Sequence, residues 1–197
     1  MPKTVDYFFV NTSPYSYLGS RVFDALVEKH KLSVNIMPFN LIALFPKTGG
    51  LPLAKRAPER RAYRLVELER WSKFRGLKLN LAPAHFPVSS GLADRLVIAA
   101  DLAGADARAL AHALLAATWA EERNISDEAT LTDIAGSLGM DGGALLETAK
   151  SSEIEARYEG NTNEALERGV FGAPCFFYEG EMFWGQDRLD FLERAIG

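Results

Sequence analysis

The sequence predicts an α/β fold in which a βαβ unit and a ββα unit are separated by a large helical segment. Three observations predict it: a strand-like run leads into an amphipathic helix near the start, helical patterns fill the middle, and two short apolar runs precede a final helix. Few folds open with βαβ and close with ββα, so this order favours a thioredoxin-like core. At 197 residues the chain is long enough to bury a sizeable core without disulfides.

The first unit is read from residues 5–38. Residues 5–10 are rich in Val, Tyr and Phe, which favour a half-buried strand. Leu18, Val22 and Leu26 then recur on one face of a helix. Residues 32–38 alternate apolar and polar side chains, which predicts a second strand, and the default crossover between the two strands is right-handed.

The middle and the end follow the same reasoning. Proline and glycine punctuate residues 41–58, which predicts a loop. Helical patterns cover residues 58–74, 92–102, 107–122, 127–138, 142–150, 153–168 and 187–196, with short strands at 174–178 and 181–184. We therefore expect residues 1–40 and 169–197 to form the thioredoxin-like core. Residues 41–168 form a loop plus an all-helical insertion between its two halves.

Composition excludes several classes of function. The net charge of −4 provides no basic excess for nucleic acid or anionic membranes. No segment reaches the ~20 apolar residues of a membrane span, and the N-terminal Met1-Pro2-Lys3-Thr4 leads into a strand without a signal-peptide pattern. Cys175 is the single cysteine, which excludes an intramolecular disulfide, and the three histidines show no metal-ligand spacing. We expect a cytoplasmic protein that binds no metal.

The first strand–helix junction is the reactive position of a thioredoxin-like core. Ser13-Pro14-Tyr15-Ser16 stands there with the spacing of a redox Cys-x-x-Cys motif but without sulfur, which excludes disulfide exchange by the protein itself. Free N–H groups and the positive end of the helix dipole would stabilise a thiolate carried by a ligand. The alternative is structural, with Ser13 as N-cap and Pro14 at the first helical position.

Two further segments precede and follow the third and fourth strands. A cis Ala173-Pro174 bond would turn the backbone of Ala173 toward Ser13, where it could pair with a bound peptide, although an ordinary edge proline fits equally. Gln186 and Asp187 could accept an ammonium group, whereas Asp187 alone would also serve as a helix N-cap. Cys175 is expected to be an inert core thiol.

Together these segments resemble one family over essentially the whole chain. The residues Ser13 to Leu18, Gly169 to Pro174 and Trp184 to Arg188 resemble those of 2-hydroxychromene-2-carboxylate isomerases, which belong with kappa-class glutathione transferases. The resemblance implies reduced glutathione as cofactor, a small aromatic carboxylate as substrate and a homodimer. It also implies roles: Ser13 holds the sulfur as thiolate, and Ala173 pairs with the cysteinyl residue beside cis Pro174. The segment that would hold the γ-glutamyl end is Trp184, Gly185, Gln186 and Asp187. The residues expected to contact the substrate are Tyr15, His85 and Phe86.

One departure from the family pattern lies in the first long loop. Related sequences often read Thr-Gly-Asn, with the Asn helping to hold glutathione, where this chain reads Thr48-Gly49-Gly50. Lys55 or Arg56 could replace that contact by pairing with the glycine carboxylate of glutathione. The family resemblance makes a glutathione-dependent isomerase of aromatic catabolism the first hypothesis. A kappa-like transferase or peroxidase acting on another electrophile is the second, and a non-catalytic thiol- or peptide-binding module is the third.

Overall fold

The computed structural model describes residues 3–197 and contains one four-stranded sheet. The strands are β1 (Thr4–Phe9), β2 (Ser33–Pro38), β3 (Cys175–Tyr178) and β4 (Glu181–Trp184). Their order is β2-β1-β3-β4, with β1 parallel to β2 and antiparallel to β3, which is antiparallel to β4.

Nine helices accompany the sheet within the described residues. They are α1 (Pro14–His30), α2 (Leu41–Thr48), α3 (Pro58–Arg75), α4 (Gly91–Leu102), α5 (Ala107–Trp119), α6 (Glu128–Ser137), α7 (Gly142–Ala149), α8 (Ser152–Glu167) and α9 (Leu189–Ile196). Short 3-10 turns occupy Leu53–Lys55 and Gln186–Arg188. The βαβ opening, the helical middle and the ββα close confirm the predicted fold class. The division of the chain at residues 40 and 169 stays a prediction.

The sheet separates two apolar layers because neighbouring strand residues point to opposite faces. Tyr7 of β1 lies in the largest core cluster, which also takes side chains from α1 and from α4 to α9, and it stacks on Phe176 with ring centroids 5.0 Å apart. Phe8, the next residue, lies in a smaller cluster with Leu44 of α2 and Ala165 of α8. A third cluster, which includes Leu18 and Trp119, joins the start of α1 to α3 and α5.

The loop prediction for residues 41–58 is wrong over its first eight residues, which form α2. The side chain of Asn40 caps this helix by accepting a hydrogen bond from the N–H of Ala43 at 3.1 Å. Pro46 lies near the end of so short a helix that it removes little of the hydrogen-bond ladder, and Gly49 ends it with a φ of 75°.

The remaining helix predictions agree with the structure to within a few residues. Asp127 and Asp141 cap α6 and α7 through their side chains, and Gly76 ends α3 in the left-handed conformation. The final helix begins later than expected, since residues 186–188 form the 3-10 turn. Asp187 is therefore not the N-cap of α9, and that alternative is wrong.

Among residues 3–197, no helix combines the length and the hydropathy that crossing a membrane requires. Met1 and Pro2, which formed part of the signal-peptide argument, lie outside the described residues.

Candidate active site

Ser13 begins α1 and joins it to the loop before β3. Its Oγ accepts a hydrogen bond from the N–H of Ser16 at 3.1 Å, so Ser13 is the N-cap with Pro14 following at the first helical position. The same Oγ donates to the carbonyl oxygen of Ala173 at 3.1 Å. The structural and functional interpretations of Ser13 are thus compatible, because the capping bond uses a lone pair and leaves the hydroxyl proton for another acceptor.

The Ala173-Pro174 peptide bond is cis, as the sequence analysis suggested. The carbonyl group of Ala173 faces Ser13, 160 residues away in sequence. The carbonyl oxygen of Pro174 accepts from the N–H of Gly185 at 2.9 Å, which ties this loop to the end of β4. The start of α1, the cis-proline loop and the β4–α9 turn therefore meet at the same end of the sheet, where β1 and β4 finish and β3 begins.

The aromatic ring of Trp184 covers the glycine before Ala173. A Cβ on Gly172 would lie 2.3 Å from Nε1 of Trp184, so no larger residue fits there without moving the ring. Trp184 is 49% exposed and packs on Phe171, with centroids 4.6 Å apart. Its exposed part forms one wall beside the cis-proline loop.

Gln186 is buried, and it is held by a residue that the sequence analysis did not identify. The Arg75 guanidinium at the end of α3 donates to Oε1 of Gln186 at 2.9 and 3.2 Å and to its backbone oxygen at 3.1 Å. Gly19 of α1 allows the close approach, because a Cβ there would lie 2.8 Å from Cβ of Gln186. The amide oxygen expected to accept a ligand ammonium already accepts from Arg75, whereas the Asp187 carboxylate is bonded only to its exposed neighbour Arg188.

Tyr15 and Phe86, two of the three residues expected to contact substrate, pack against the same third core cluster. Phe86 lies against Trp119, with ring centroids 4.8 Å apart, and its peptide bond to Pro87 is cis. Partial burial raises the pKa of Tyr15 above its ordinary value. His85 is exposed and is not brought into this group.

Arg64 of α3 is the cation of this aromatic group. Its guanidinium carbon lies 5.9 Å from the centroid of Phe86 and 5.8 Å from that of Trp119, which is within cation–π range. Burial lowers the pKa of Arg64, although at neutral pH a guanidinium remains charged. Tyr15 is close enough to act on that charge.

A buried carboxylate supports the loop that leads to Ser13. The backbone N–H and the side-chain amide of Asn11 donate to Oδ1 of Asp94 at 3.0 and 2.9 Å. The hydroxyls of Ser90 and Tyr158 donate to Oδ2 at 2.7 and 3.1 Å. Burial raises the pKa of Asp94 to about 6, against the four hydrogen bonds that favour its charged form.

The Thr48-Gly49-Gly50 departure has a local cause. A Cβ on Gly50 would lie 2.2 Å from Cδ1 of Phe45, so the ring occupies the space that a side chain would need. Arg56 follows nearby, with its Nε donating to the carbonyl oxygen of Leu51 at 2.8 Å. The absence of an amide side chain at residue 50 is thus built into the packing of α2.

The remaining candidates give a simple result. Cys175 is fully buried in β3, and burial raises the pKa of its thiol to about 12, which agrees with an inert core thiol. Within residues 3–197, no group of three or more His, Cys, Asp or Glu residues is arranged to hold a metal ion.

Sequence reasoning missed Arg64, Arg75 and Asp94 because each acts on residues far away in the chain. A signal exists only for the two arginines. Arg64, Leu68, Trp71 and Arg75 recur at helical spacing on one face of α3, so both cations flank apolar residues rather than lying on a fully solvated face.

The fold and this junction define a thioredoxin-like protein with serines at the two redox positions. The family model for DSBA-like thioredoxin domains matches residues 4–197. The chain is 31% identical to the 2-hydroxychromene-2-carboxylate isomerase of Sphingobium xenophagum over 199 residues, covering 100% of this chain and 99% of that protein. It is 24% identical to glutathione S-transferase kappa 1 of Caenorhabditis elegans over 207 residues, covering 98% and 91%.

A solved structure gives the same result. A 2-hydroxychromene-2-carboxylate isomerase structure matches with a TM-score of 0.85 at 29% identity, over 98% of this chain and 94% of that one. The chain belongs to the 2-hydroxychromene-2-carboxylate isomerase family of DSBA-like thioredoxin domains, which confirms the resemblance.

Proposed function

We propose that the protein is a glutathione-dependent isomerase that converts 2-hydroxychromene-2-carboxylate to trans-o-hydroxybenzylidenepyruvate in aromatic catabolism. The observation that carries the proposal is the position of Ser13 Oγ, which lies between the N-terminus of α1 and the carbonyl oxygen of Ala173. A thiolate at this point would meet a hydroxyl donor and the positive end of a helix dipole. The names of the relatives supply the reaction and the cofactor class.

The residues at the junction fit glutathione. An incoming sulfur would accept the hydrogen bond that the Ser13 hydroxyl now donates to the carbonyl oxygen of Ala173. The capping bond from the N–H of Ser16 would be kept. The carbonyl oxygen of Ala173 would then be free to accept from the N–H of a cysteinyl residue, as in the addition of a strand. Trp184, Gly185, Gln186 and Asp187 would hold the γ-glutamyl end. The Asp187 carboxylate pairs with exposed Arg188 through Oδ2, so its Oδ1 would accept from the ammonium group.

The protein's own contribution is charge stabilisation and orientation. When bound, glutathione supplies a nucleophilic thiolate whose reversible addition permits rotation about a former double bond. Ser13 and the positive end of the α1 dipole would keep the sulfur charged at neutral pH. Tyr15 and Phe86 present aromatic surface for the ring of the substrate, which positions it against the sulfur.

The test is to replace Ser13 by alanine and titrate bound glutathione by the ultraviolet absorbance of its thiolate. Loss of a hydrogen bond to a charged group costs about 1.5–3 kcal/mol, so the pKa of the bound thiol should rise by about 1–2 units. Isomerisation at neutral pH should fall with the thiolate fraction. An unchanged thiolate fraction together with an unchanged rate would contradict the assignment of Ser13.

Ser20→Ala is the matched control for this variant. The hydroxyl of Ser20 lies about two helical turns further along α1 and, among the described residues, donates to the carbonyl oxygen of Tyr17 at 2.8 Å. This control should leave the thiol pKa unchanged. Mass spectrometry of the products distinguishes the alternatives, because a kappa-like transferase leaves a glutathione adduct and a non-catalytic binding module leaves the chromene unchanged.

We further propose a cytoplasmic homodimer, which the family resemblance implies. The helix α3 has 18 residues but only one buried side chain, and its exposed residues include Tyr63, Val66 and Phe74. These three recur at helical spacing, so a second copy of the chain is the partner we assign to this face. Light scattering of the purified protein tests the dimer, and fractionation of the native cells tests the location.

A further inference from the structure

Arg64 is a partly buried cation with no protein anion. Among residues 3–197, no carboxylate lies within ion-pair distance of its guanidinium, and no protein acceptor is hydrogen-bonded to it. The two carboxylates that act on neighbouring Tyr15 are already paired, Glu67 with Arg70 and Asp187 with Arg188. Burying an unpaired charge is costly, so a position that retains one indicates that an anion binds there.

The surroundings of Arg64 select the kind of anion. The guanidinium lies beside the rings of Phe86 and Trp119, and Tyr15 is the third aromatic neighbour. Trp119 is fully buried, yet its indole N–H has no hydrogen-bond acceptor among the described residues. Trp119 is therefore closed to a ligand and supports the guanidinium from within the core, whereas Tyr15 and Phe86 are only partly buried. These two rings and the planar cation together suit an aromatic or conjugated carboxylate.

The aromatic group around Arg64 and the proposed thiolate position at Ser13 share the start of α1. Tyr15 is two residues after Ser13, in the first turn of α1. A ring held between Tyr15 and Phe86 would thus contact the first turn of α1, which Ser13 caps. The carboxylate at the end of such a molecule would reach Arg64 rather than solvent.

From this geometry we propose that Arg64 binds the carboxylate of the substrate and thereby sets specificity for acids over neutral chromenes. The contact would be a paired, charge-assisted hydrogen bond from the planar guanidinium, with Phe86 and Trp119 fixing the plane. Arg64 acts on binding and orientation, not on the thiolate. The inference rests on the proposed function only for the identity of the acid.

The experiment compares an acid with its methyl ester. The two probes are trans-o-hydroxybenzylidenepyruvate and its methyl ester, titrated calorimetrically into protein saturated with S-methylglutathione, which prevents turnover. The native protein should bind the acid more tightly than the ester. Arg64→Met should weaken binding of the acid about 10- to 100-fold, the range of one charge-assisted contact, and leave the ester little changed. Arg64→Lys should fall between them, because it keeps the charge but loses the planar pair of donors.

The matched control is Arg61→Met, which removes the same charge from an exposed position on the same helix. It should leave binding of both probes unchanged. Equal losses for the acid and the ester in Arg64→Met would overturn the proposal, since they would indicate a packing role. A weaker binding of glutathione with unchanged binding of the acid would also overturn it, by assigning Arg64 to the glycine carboxylate of glutathione.

Failure of the proposed function has a separate signature. If the native protein binds the acid in preference to the ester but turns over no chromene, the proposed Arg64 site stands and the isomerase function is contradicted. If the native protein turns over chromene but Arg64→Met keeps its full preference for the acid, the isomerase function stands and the proposed Arg64 site is contradicted.

Discussion

Ser13, at the start of α1, shows what a single residue can reveal. Ser13 followed by Pro14 predicts a helix start from local chemistry alone, and the structure confirms it. The bond from Ser13 to Ala173 depends on a partner 160 residues away, so it could be expected only from the thioredoxin-like topology together with a cis Ala173-Pro174 bond. Ser13 can therefore cap the helix through a lone pair and donate its hydroxyl hydrogen to a thiolate at the same time.

Asp94 allows a prediction about pH at the residue scale. Its pKa is raised by burial from 3.8 to about 6, so the folded protein binds a proton in this range that the unfolded chain has lost. The contribution of Asp94 to the free energy of unfolding is therefore fully present below about pH 4 and is lost as the pH rises through 6. The total loss is about 3 kcal/mol, at 1.36 kcal/mol per pKa unit.

Asp94→Asn removes this titration while it keeps the hydrogen bonds. The amide oxygen can accept from both Asn11 donors, and the NH₂ group can donate to the hydroxyl oxygens of Ser90 and Tyr158. Urea denaturation at several values of pH from 4 to 7 should show a smaller fall in stability for this variant than for the native protein. Asp101→Asn, an exposed change on the same helix, should keep the native profile, and an identical profile for Asp94→Asn would contradict the prediction.

At the scale of elements, α3 connects the helical segment to the active site. Its last residue, Arg75, holds Gln186 in the 3-10 turn before α9, and Arg64 lies about three turns earlier beside Phe86. The helix has few buried residues of its own, so these polar and cation–π contacts define where its inner face lies. Displacing α3 would therefore alter both ends of the proposed site.

Arg75→Met tests this connection. The change removes three hydrogen bonds and leaves the buried Oε1 and backbone oxygen of Gln186 without a donor. We expect the free energy of unfolding to fall by roughly 2–3 kcal/mol and the dissociation constant of glutathione to rise several-fold, because the turn that carries Asp187 is released.

Arg70→Met is the matched control for Arg75→Met. It removes an arginine from the same helix, but one whose partner is the surface residue Glu67. Denaturation and thiolate titration of both variants decide the question. Comparable effects in the two variants would mean that the charge of α3, and not the contact with Gln186, supports the turn.

The same elements show how far the sequence alone predicts the structure. Apolar runs located β1, β3 and β4, alternation located β2, and helical periodicity located the long helices. The cis Ala173-Pro174 bond was one of two alternatives that the sequence left open, and the structure decides for it. The segment at α2 was misinterpreted because its Pro46 and Gly49 signal a loop, whereas the cap from Asn40 and the burial of Phe45 favour a helix. The contacts of Arg64, Arg75 and Asp94 cross more than one element, and no local pattern encodes them.

At the scale of the whole molecule, the largest core cluster contains residues of both parts of the chain. Tyr7 and Phe176 of the sheet share it with Leu96, Leu114 and Ile134 of the helical segment. Two parts that share a core lose it together when either unfolds. We therefore expect the inserted helices and the sheet to unfold in one cooperative transition.

The chain offers one reporter for each part. Cys175 is its single cysteine and is fully buried in β3, so a brief pulse of thiol reagent labels only molecules whose sheet has opened. The far-ultraviolet circular dichroism signal comes mainly from helices, most of which lie in the inserted segment. The urea midpoints from labelling and from dichroism should coincide.

Glutathione provides the decisive version of this experiment, because its proposed contacts lie mostly on the thioredoxin-like core. A ligand at 100 times its dissociation constant stabilises the folded state by about 2.7 kcal/mol, and in one cooperative unit both midpoints must rise together. Under reducing conditions, labelling is best replaced by hydrogen exchange of the β3 and α6 amides, which leaves glutathione intact. A shift confined to the sheet, with the helices unfolding at their original midpoint, would contradict a shared core and support an independently folding insertion.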